Sequence, residues 1–391
     1  MDMTVRREAP KKRVMVFRRV SGREGLAGIR DDWEQVLVRM ERKRYFHYYQ
    51  WYDAYINALD NDPSAMHFFL ACEDNTPVAV FPLKRSSRRI GGLSLKVLEL
   101  PRHSHMPLRG VPYASYAEHT DLLSEFTRYL RRQREVAWDV LCFGNLLEDS
   151  CVLGCMSGLS GVLTVVKRTS RCDYFLCDDY SEMFSRFSKK FRSSLRTARN
   201  HLGRVEGVRF TSSREQSELV ERFASFLGVE ASGWKGEEGT GTAIQLLPAV
   251  KNFYLNLIQG FGGFGGCEIH ILEATGECLA ACFCLRVDDT IYALKIGYSE
   301  GHKKASPGNM LWESLLEKYA IDPEIRFFNC VGTAEWLQKW RPLAYDMYDV
   351  HIFNRSPRGV WGALLLRART ALGACYRRLR RLFGRGDAAA S

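Results

Sequence analysis

The chain lacks any apolar run of about 18 residues, so no segment is predicted to cross a bilayer as a helix. Its start, Met1-Asp2-Met3-Thr4-Val5-Arg6-Arg7, lacks the apolar stretch of a secretory leader, and export is not expected. No Cys-x-x-Cys pair occurs among the twelve cysteines, which are scattered from Cys72 to Cys375. Cys282 and Cys284 alternate along one apolar run, as small buried hydrophobes would. Cys151 and Cys155 are four apart and His103 and His105 two apart, but neither pair has a matching partner pair. The expectation is a reduced, cytoplasmic protein without a disulfide framework or a metal site. The middle of the chain also lacks net charge. Of the formal +11, residues 1–19 hold +5 (seven Lys/Arg, two acids) and residues 358–391 hold +7 (eight Arg, one Asp), which leaves −1 for the rest. A nucleic-acid-binding domain carries its charge on the fold itself, so that class is disfavoured.

What is present is a globular composition, 46% hydrophobic and 26% charged, in 391 residues, a length that suits two domains. Hydrophobic periodicity predicts a strand at 14–20, helices at 29–40 and 46–59, and strands at 66–72, 78–84 and 93–100. A helix at 120–134, a strand at 138–143, a helix at 147–157 and a strand at 162–167 close this unit. A second series comes next: a helical segment at 181–201, a strand at 208–211, helices at 215–228 and 247–260, and strands at 268–272, 279–285 and 291–298. It ends with a helix at 310–320, a strand at 325–330, a short helix at 334–340 and a strand at 345–353. Each series has a helix pair, a hairpin with acidic turn residues (Glu73-Asp74-Asn75-Thr76-Pro77; Glu273-Ala274-Thr275-Gly276-Glu277) and a further strand. The expectation is an α/β (α+β) fold of two related domains in tandem, 14–170 and 171–355, with mixed, mostly antiparallel sheets flanked by helices. A basic arm at 1–13 precedes them, and a basic amphipathic helix lies in the tail, 356–391.

The most informative stretch is 267–320. Three alternating runs lead into Ser299-Glu300-Gly301-His302-Lys303-Lys304-Ala305-Ser306-Pro307-Gly308-Asn309, and an amphipathic helix succeeds them. A strand that opens through a basic, glycine-bearing loop into a helix N-terminus makes a polyanion seat. Unpaired first-turn N–H groups, the helix dipole and two lysines all favour phosphate there. That order is how an acyl-coenzyme A-dependent N-acyltransferase is built, and the loop by itself can also be read as an ordinary strand-to-helix turn.

Two further constellations carry chemistry. Glu230-Ala231-Ser232-Gly233-Trp234-Lys235-Gly236 ends a helix with an apolar face and runs into more glycines at 239 and 241. Trp234 and Lys235 on such a loop can meet a substrate, or Trp234 can plug the core edge. Glu230 can serve as general base toward an amine or hydroxyl, or can pair locally. In 184–200, Phe184, Phe187, Phe191, Leu195 and Ala198 recur at spacings of three and four with basic residues between them. Lys190, Arg192, Arg196 and Arg199 either solvate that helix or offer cations to an anionic substrate. The tail helix, 360–383, groups Trp361, Leu364, Leu365 and Leu372 near one face, with Arg367, Arg369 and others over the rest. It suits peripheral contact with an anionic membrane through 358–385, or packing on its own domain.

The run 189–199, the Glu230…Gly233-Trp234-Lys235-Gly236…Gly241-Thr242-Ala243 block, Tyr292-x-x-Lys295-x-Gly297-Tyr298 and Ser306-Pro307-Gly308 stand in that order. Together they resemble the bacterial GNAT-superfamily branch called CelD-like, or cellulose-biosynthesis acetyltransferases, a relative of the Fem-type peptidyltransferases. The resemblance spans 170–350 and takes 15–165 as a degenerate partner domain. It implies a duplicated GNAT fold, acyl transfer from acyl-CoA without a covalent enzyme intermediate, and a setting in exopolysaccharide or cell-envelope synthesis. Relatives often show an acidic residue after the sixth strand where this chain has Asn329, and the strict Gln/Arg-x-x-Gly-x-Gly/Ala signature is missing.

On this reading Glu230 is the base and Tyr298 protonates the leaving thiolate. Lys295, Lys303, Lys304, Ser306, Gly308 and Asn309 hold acetyl-CoA, and no metal takes part. Trp234, Lys235, Lys190, Arg192 and Arg196 meet the acceptor, a small molecule or saccharide. The alternatives are a Fem-like aminoacyl-tRNA-dependent transferase and a non-catalytic, membrane-docked component of a polysaccharide synthesis complex.

Overall fold

Twelve strands form one continuous sheet in a computed structural model that describes residues 15–114, 121–159, 163–233 and 235–383. The strands are β1 (Met15–Ser21), β2 (Met66–Glu73), β3 (Thr76–Ile90), β4 (Leu93–Glu99), β5 (Val140–Leu147), β6 (Thr164–Leu176), β7 (Arg209–Ser213), β8 (Cys267–Ala274), β9 (Glu277–Val287), β10 (Thr290–Tyr298), β11 (Phe327–Asn329) and β12 (Leu343–Phe353). The helices are α1 (Gly22–Ala27), α2 (Arg30–Val38), α3 (Tyr49–Ala58), α4 (Leu122–Arg132), α5 (Cys151–Gly154), α6 (Tyr180–Ser185), α7 (Lys189–Leu202), α8 (Gln216–Ala231), α9 (Pro248–Gly262), α10 (Pro307–Ala320) and α11 (Pro357–Phe383). The sheet is mixed and mostly antiparallel, with helices on its faces, as the periodicity predicts.

The strand order, β1-β2-β3-β4-β5-β12-β6-β11-β10-β9-β8-β7, reads alike from either edge. Each half has an antiparallel four-strand meander whose last member pairs in parallel with a fifth strand: β4 with β5, and β10 with β11. The central pair is exchanged. β6 comes after the first half in sequence but lies antiparallel beside β11, and β12 comes after the second half but lies antiparallel beside β5. Residue 170 therefore falls inside β6.

The side-chain period of two sorts core residues onto opposite faces. On one face Phe68 and Leu70 of β2, Ala281, Phe283 and Leu285 of β9, and helices α3, α8 and α9 share a single buried cluster across both halves. On the other face two separate clusters form, around α4 and around α7 with α10, while the cluster under α11 uses the alternate residues Val97, Val140, Cys142 and Phe353 and lies on the first face. The halves meet where α3 packs on α9: a Cβ at Gly260 would lie 2.9 Å from Gln50 Cβ, so glycine sets that approach. Tyr45 closes the seam, its ring packed edge-on against Tyr292 of β10 at 4.9 Å.

α11 begins against its own sheet. Ala363 is buried with Leu95, Val97 and Phe353, while Trp361, Leu364 and Leu372 are exposed. No described helix is long and apolar enough to cross a membrane.

Candidate active site

β10 is paired with β9 along its length but with β11 only at Thr290, Ile291 and Tyr292. Beyond Tyr292 the two parallel strands part. The reason is local to β11. Asn329 Oδ1 accepts the Val331 N–H (2.8 Å) and the Cys172 thiol (3.3 Å), and Val331 turns into the left-handed region (φ 60°). Asp173 of β6 fixes the segment after that turn, accepting from Thr333 Oγ1 (2.6 Å) and Gln338 Nε2 (2.8 Å). The chain then enters a short 3-10 turn, Glu335–Trp340, which carries Trp336 toward β10. Opposite that opening β10 is irregular between Ala293 and Lys295, so the strand edge bends as it is freed. A freed edge exposes backbone N–H and C=O groups that an amide-bearing chain can pair with.

The opening is the floor of a cleft of about 610 Å³, lined by Ile296 and Tyr298, by the 299–309 turn and by Lys235 and Trp336. That volume lies in the usual range for a small-molecule site, about 300–1,000 Å³. The predicted loop is ordered as a 3-10 turn, Glu300–Ala305, and the helix starts at Pro307, earlier than its periodicity indicates. Ser306 adopts φ 46° and ψ 55°, and its carbonyl takes the N–H groups of Asn309 (2.9 Å) and Met310 (3.1 Å). Pro307 has no N–H, so Gly308 supplies the first-turn donor that the helix leaves open. Gly308 must be small, because a Cβ there would sit 3.1 Å from Tyr298 Cδ1.

Of the residues assigned to the acyl donor, Lys303, Ser306, Gly308 and Asn309 line this cleft, as does Tyr298. Lys303 is exposed and 3.4 Å from Glu300. Lys304 is exposed beside it and is not in the wall. Lys295 lies elsewhere. Burial and then the charge of Lys235 push its ammonium pKa down, while Glu230 opposes that shift. It therefore belongs to the α8 side of β10, among Lys235 and Glu230, and not to the 299–309 turn.

Glu230 sits in the last turn of α8, 4% exposed, with both oxygens engaged. Oε1 accepts from Lys235 Nζ (3.0 Å) and Oε2 from the Ile244 N–H (2.9 Å). Lys235 also reaches Ile296 O at 3.5 Å, so it spans from the buried carboxylate to the cleft wall. α8 is pressed against β10 here: a Cβ on Gly297 would fall 2.7 Å from Glu230 Cα. Trp234 lies outside the described residues.

The basic helix α7 packs on the 300–305 turn and on α10 through Phe191, Leu195 and Ala198, with Ser188 capping its start. Lys190 and Arg196 are exposed and Arg192 is half-buried, and none of the three lines the cleft. Arg199 is instead a structural clamp. It makes a two-point contact with Glu313 of α10 (2.8 and 2.6 Å), a carboxylate that also accepts from Tyr180 OH (2.5 Å).

Sequence reasoning missed Trp336, Ile296 and Glu300 in the wall, and the approach of a first-half loop. His103 and His105 lie near Lys295, whose charge adds to burial in lowering both imidazole pKa values, that of His105 to about 3. A loop of no regular period gave no signal for that contact.

Comparison with known proteins agrees with this geometry. Residues 189–336, which hold the whole cleft, match the family model described as an acetyltransferase (GNAT) domain. No curated protein is similar to the chain in sequence. Among solved structures it is similar to FemX (12% identity, TM-score 0.53, covering 83% of this chain and 96% of that one). It is also similar to L-PGS from Bacillus licheniformis (14%, 0.50, 86% and 95%) and to a conserved protein of unknown function from Bacteroides thetaiotaomicron (13%, 0.51, 87% and 100%). At such identities these likenesses speak for the fold. The cleft-bearing segment, residues 189–336, is thus similar to GNAT acetyltransferase domains, and the longer two-part fold around it is similar to that of FemX.

Proposed function

We propose that the chain moves an acyl group, acetyl in the simplest case, from acyl-CoA to an amine or hydroxyl of a sugar or cell-envelope precursor. One observation carries the reading: the freed edge of β10 and the start of α10 line the same cleft. The pantetheine amides pair with β10 beyond Tyr292, and the pyrophosphate rests on 303–309. The acceptor nitrogen or oxygen attacks the thioester carbon, and the backbone at the opening stabilises the oxyanion. Lys235 receives the acceptor's proton as it passes its own to Glu230, since Nζ already touches Oε1. The carbon–sulfur bond then breaks, and Tyr298 protonates the departing thiolate. Holding two substrates correctly can supply up to about 7–11 kcal/mol of the acceleration.

Two measurements test this. Calorimetric titration with acetyl-CoA and longer thioesters should give saturable binding, weakened in Lys303→Ala; a flat trace with every thioester would end the proposal. Glu230→Gln should lower kcat by about 10²-fold or more, with donor KM little changed. Unchanged turnover and pH dependence would remove the base assignment.

A Fem-like, aminoacyl-tRNA-dependent reading draws support from the exposed Lys190 and Arg196 on α7, beside the 300–305 turn. It requires activity that falls steeply with salt, since each neutralised phosphate adds about one unit to the log–log slope. The acyl-CoA reading requires only weak salt dependence.

A further inference from the structure

A second cavity, about 90 Å³, lies in the first half and shares no residue with the acyl-donor cleft. Its walls include Arg42, Arg44, His47, Arg109, Asp149 and Ser150. Arg42 and Asp149 are exposed at the rim together with Glu41, whereas Arg44, His47 and Arg109 are 5%, 7% and 8% exposed. Burial of so much positive charge needs compensation, because an unpaired buried ion costs several kcal/mol.

Only part of it is compensated. Asp149 Oδ2 serves both Arg42 Nη1 (2.8 Å) and Arg44 Nη2 (2.5 Å). Arg109 has no carboxylate within ion-pair distance among the described residues; its Nε donates to Met106 O (3.3 Å). The acids behind it are engaged elsewhere. Glu99 pairs with Arg88 and Arg102, and Asp349 accepts the Asn145 N–H (2.9 Å). Burial and then the charge of Arg102 lower the Arg109 pKa to about 10, while Glu99 and Asp349, with which it lines a neighbouring pocket, only partly oppose the shift.

The third buried group is a donor. His47 Nδ1 accepts the Arg44 N–H (3.2 Å), which leaves the neutral ring with its proton on Nε2. Gly110 keeps that atom open: a Cβ there would lie 2.8 Å from His47 Nε2 and 2.6 Å from Phe46 Cε2. The cavity thus offers guanidinium groups and an imidazole N–H against the shared Asp149 and, at the rim, Glu41. A volume of about 90 Å³ equals that of about three waters, too small for a sugar or nucleotide but enough for one oxyanion group. Three arginines against Asp149 and the rim carboxylate Glu41 leave one net positive charge, which favours an anion over a neutral ligand.

We propose that this cavity is a phosphate-binding site, in which Arg44, Arg109 and His47 Nε2–H surround the anion and Arg42 closes the rim. The rest of a phosphomonoester would lie outside, over Glu41 and Ser150. This site does not depend on the acyl-donor cleft, and either could fail alone.

The test is thermal melting and calorimetry of the full chain in chloride buffer at fixed ionic strength, with inorganic phosphate, glucose 1-phosphate and acetate as probes. Phosphate should bind saturably and raise Tm. Arg109→Met should weaken it at least tenfold and raise Tm in phosphate-free buffer, since it removes a lone buried charge while keeping volume. Arg42→Ala, at the exposed rim, should fold normally and weaken phosphate about threefold or more. Lys303→Ala should leave this response intact, which separates it from the donor cleft. Tighter binding of glucose 1-phosphate than of inorganic phosphate identifies a phosphomonoester as the ligand, and the reverse order identifies the free anion. Acetate binding as tightly as phosphate, or phosphate affinity unchanged in both Arg109→Met and Arg42→Ala, would overturn the proposal.

Discussion

Gly297 shows how much one missing methyl group decides. Its absence lets α8 lie against β10, which brings Glu230 and Lys235 to the strand that floors the cleft. Gly297→Ala would put a carbon 2.7 Å from backbone that cannot yield locally, so stability should fall by about 1–3 kcal/mol in denaturant titrations. A variant as stable as the parent would show that the helix can slide away. Imidazoles set the pH response. Burial lowers the pKa of His67 and His270 to about 4 and of His105 to about 3. These groups are neutral in the fold and titrate near 6.5 when unfolded, so between those values the unfolded state binds more protons. Stability is therefore full above about pH 6.5 and is lost as pH falls toward 4, by up to about 1.4 kcal/mol per pH unit for each imidazole. Equal unfolding free energies at pH 7 and pH 5 would contradict this.

At the scale of elements, the clamp between α7 and α10 holds the 300–305 turn from behind. Arg199→Met would leave Glu313 buried and without its cation. The expected loss is about 1–3 kcal/mol, below the about 3–5 typical of fully buried pairs because Arg199 is itself 42% exposed. Unchanged stability would mean that Tyr180 alone satisfies Glu313. Most elements are legible in the sequence because their burial is periodic. The apolar runs in 268–298 give β8, β9 and β10 to within a few residues, since both faces of each strand are largely covered. For β6 the pattern reaches only residue 167, whereas the strand runs to Leu176: residues 167–171 are exposed on both faces, so no alternation marks them. Trp336 escapes for a related reason. A six-residue 3-10 turn has no face to read, and only the strand stop at Asn329 and Val331 aims it. Asn329 serves the same stop: its amide oxygen accepts the Val331 N–H, which a side chain without an oxygen would leave unsatisfied.

For the molecule as a whole, the tandem pattern can be read from two similar series of elements, but the exchange of their last strands cannot. Sequence order does not state which strand neighbours which, and β6 suits either edge. The exchange makes both halves depend on each other, and the cluster shared by α3, α8 and α9 continues across the seam. Heat or denaturant should therefore unfold the described body in a single transition, with fluorescence and far-UV circular dichroism coinciding. Two resolved transitions would show that the halves are thermodynamically separate.

A cut chain would behave unusually. The turn at Gly203–Gly207 is exposed and offers trypsin Arg204. Cleavage there leaves one piece ending beyond β6 and another that still owns β12, and β12 lies between β5 and β6 of the first piece. The fragments are dovetailed, so neither can leave until the joint is broken, and the nicked protein should elute as one species until denaturant is added.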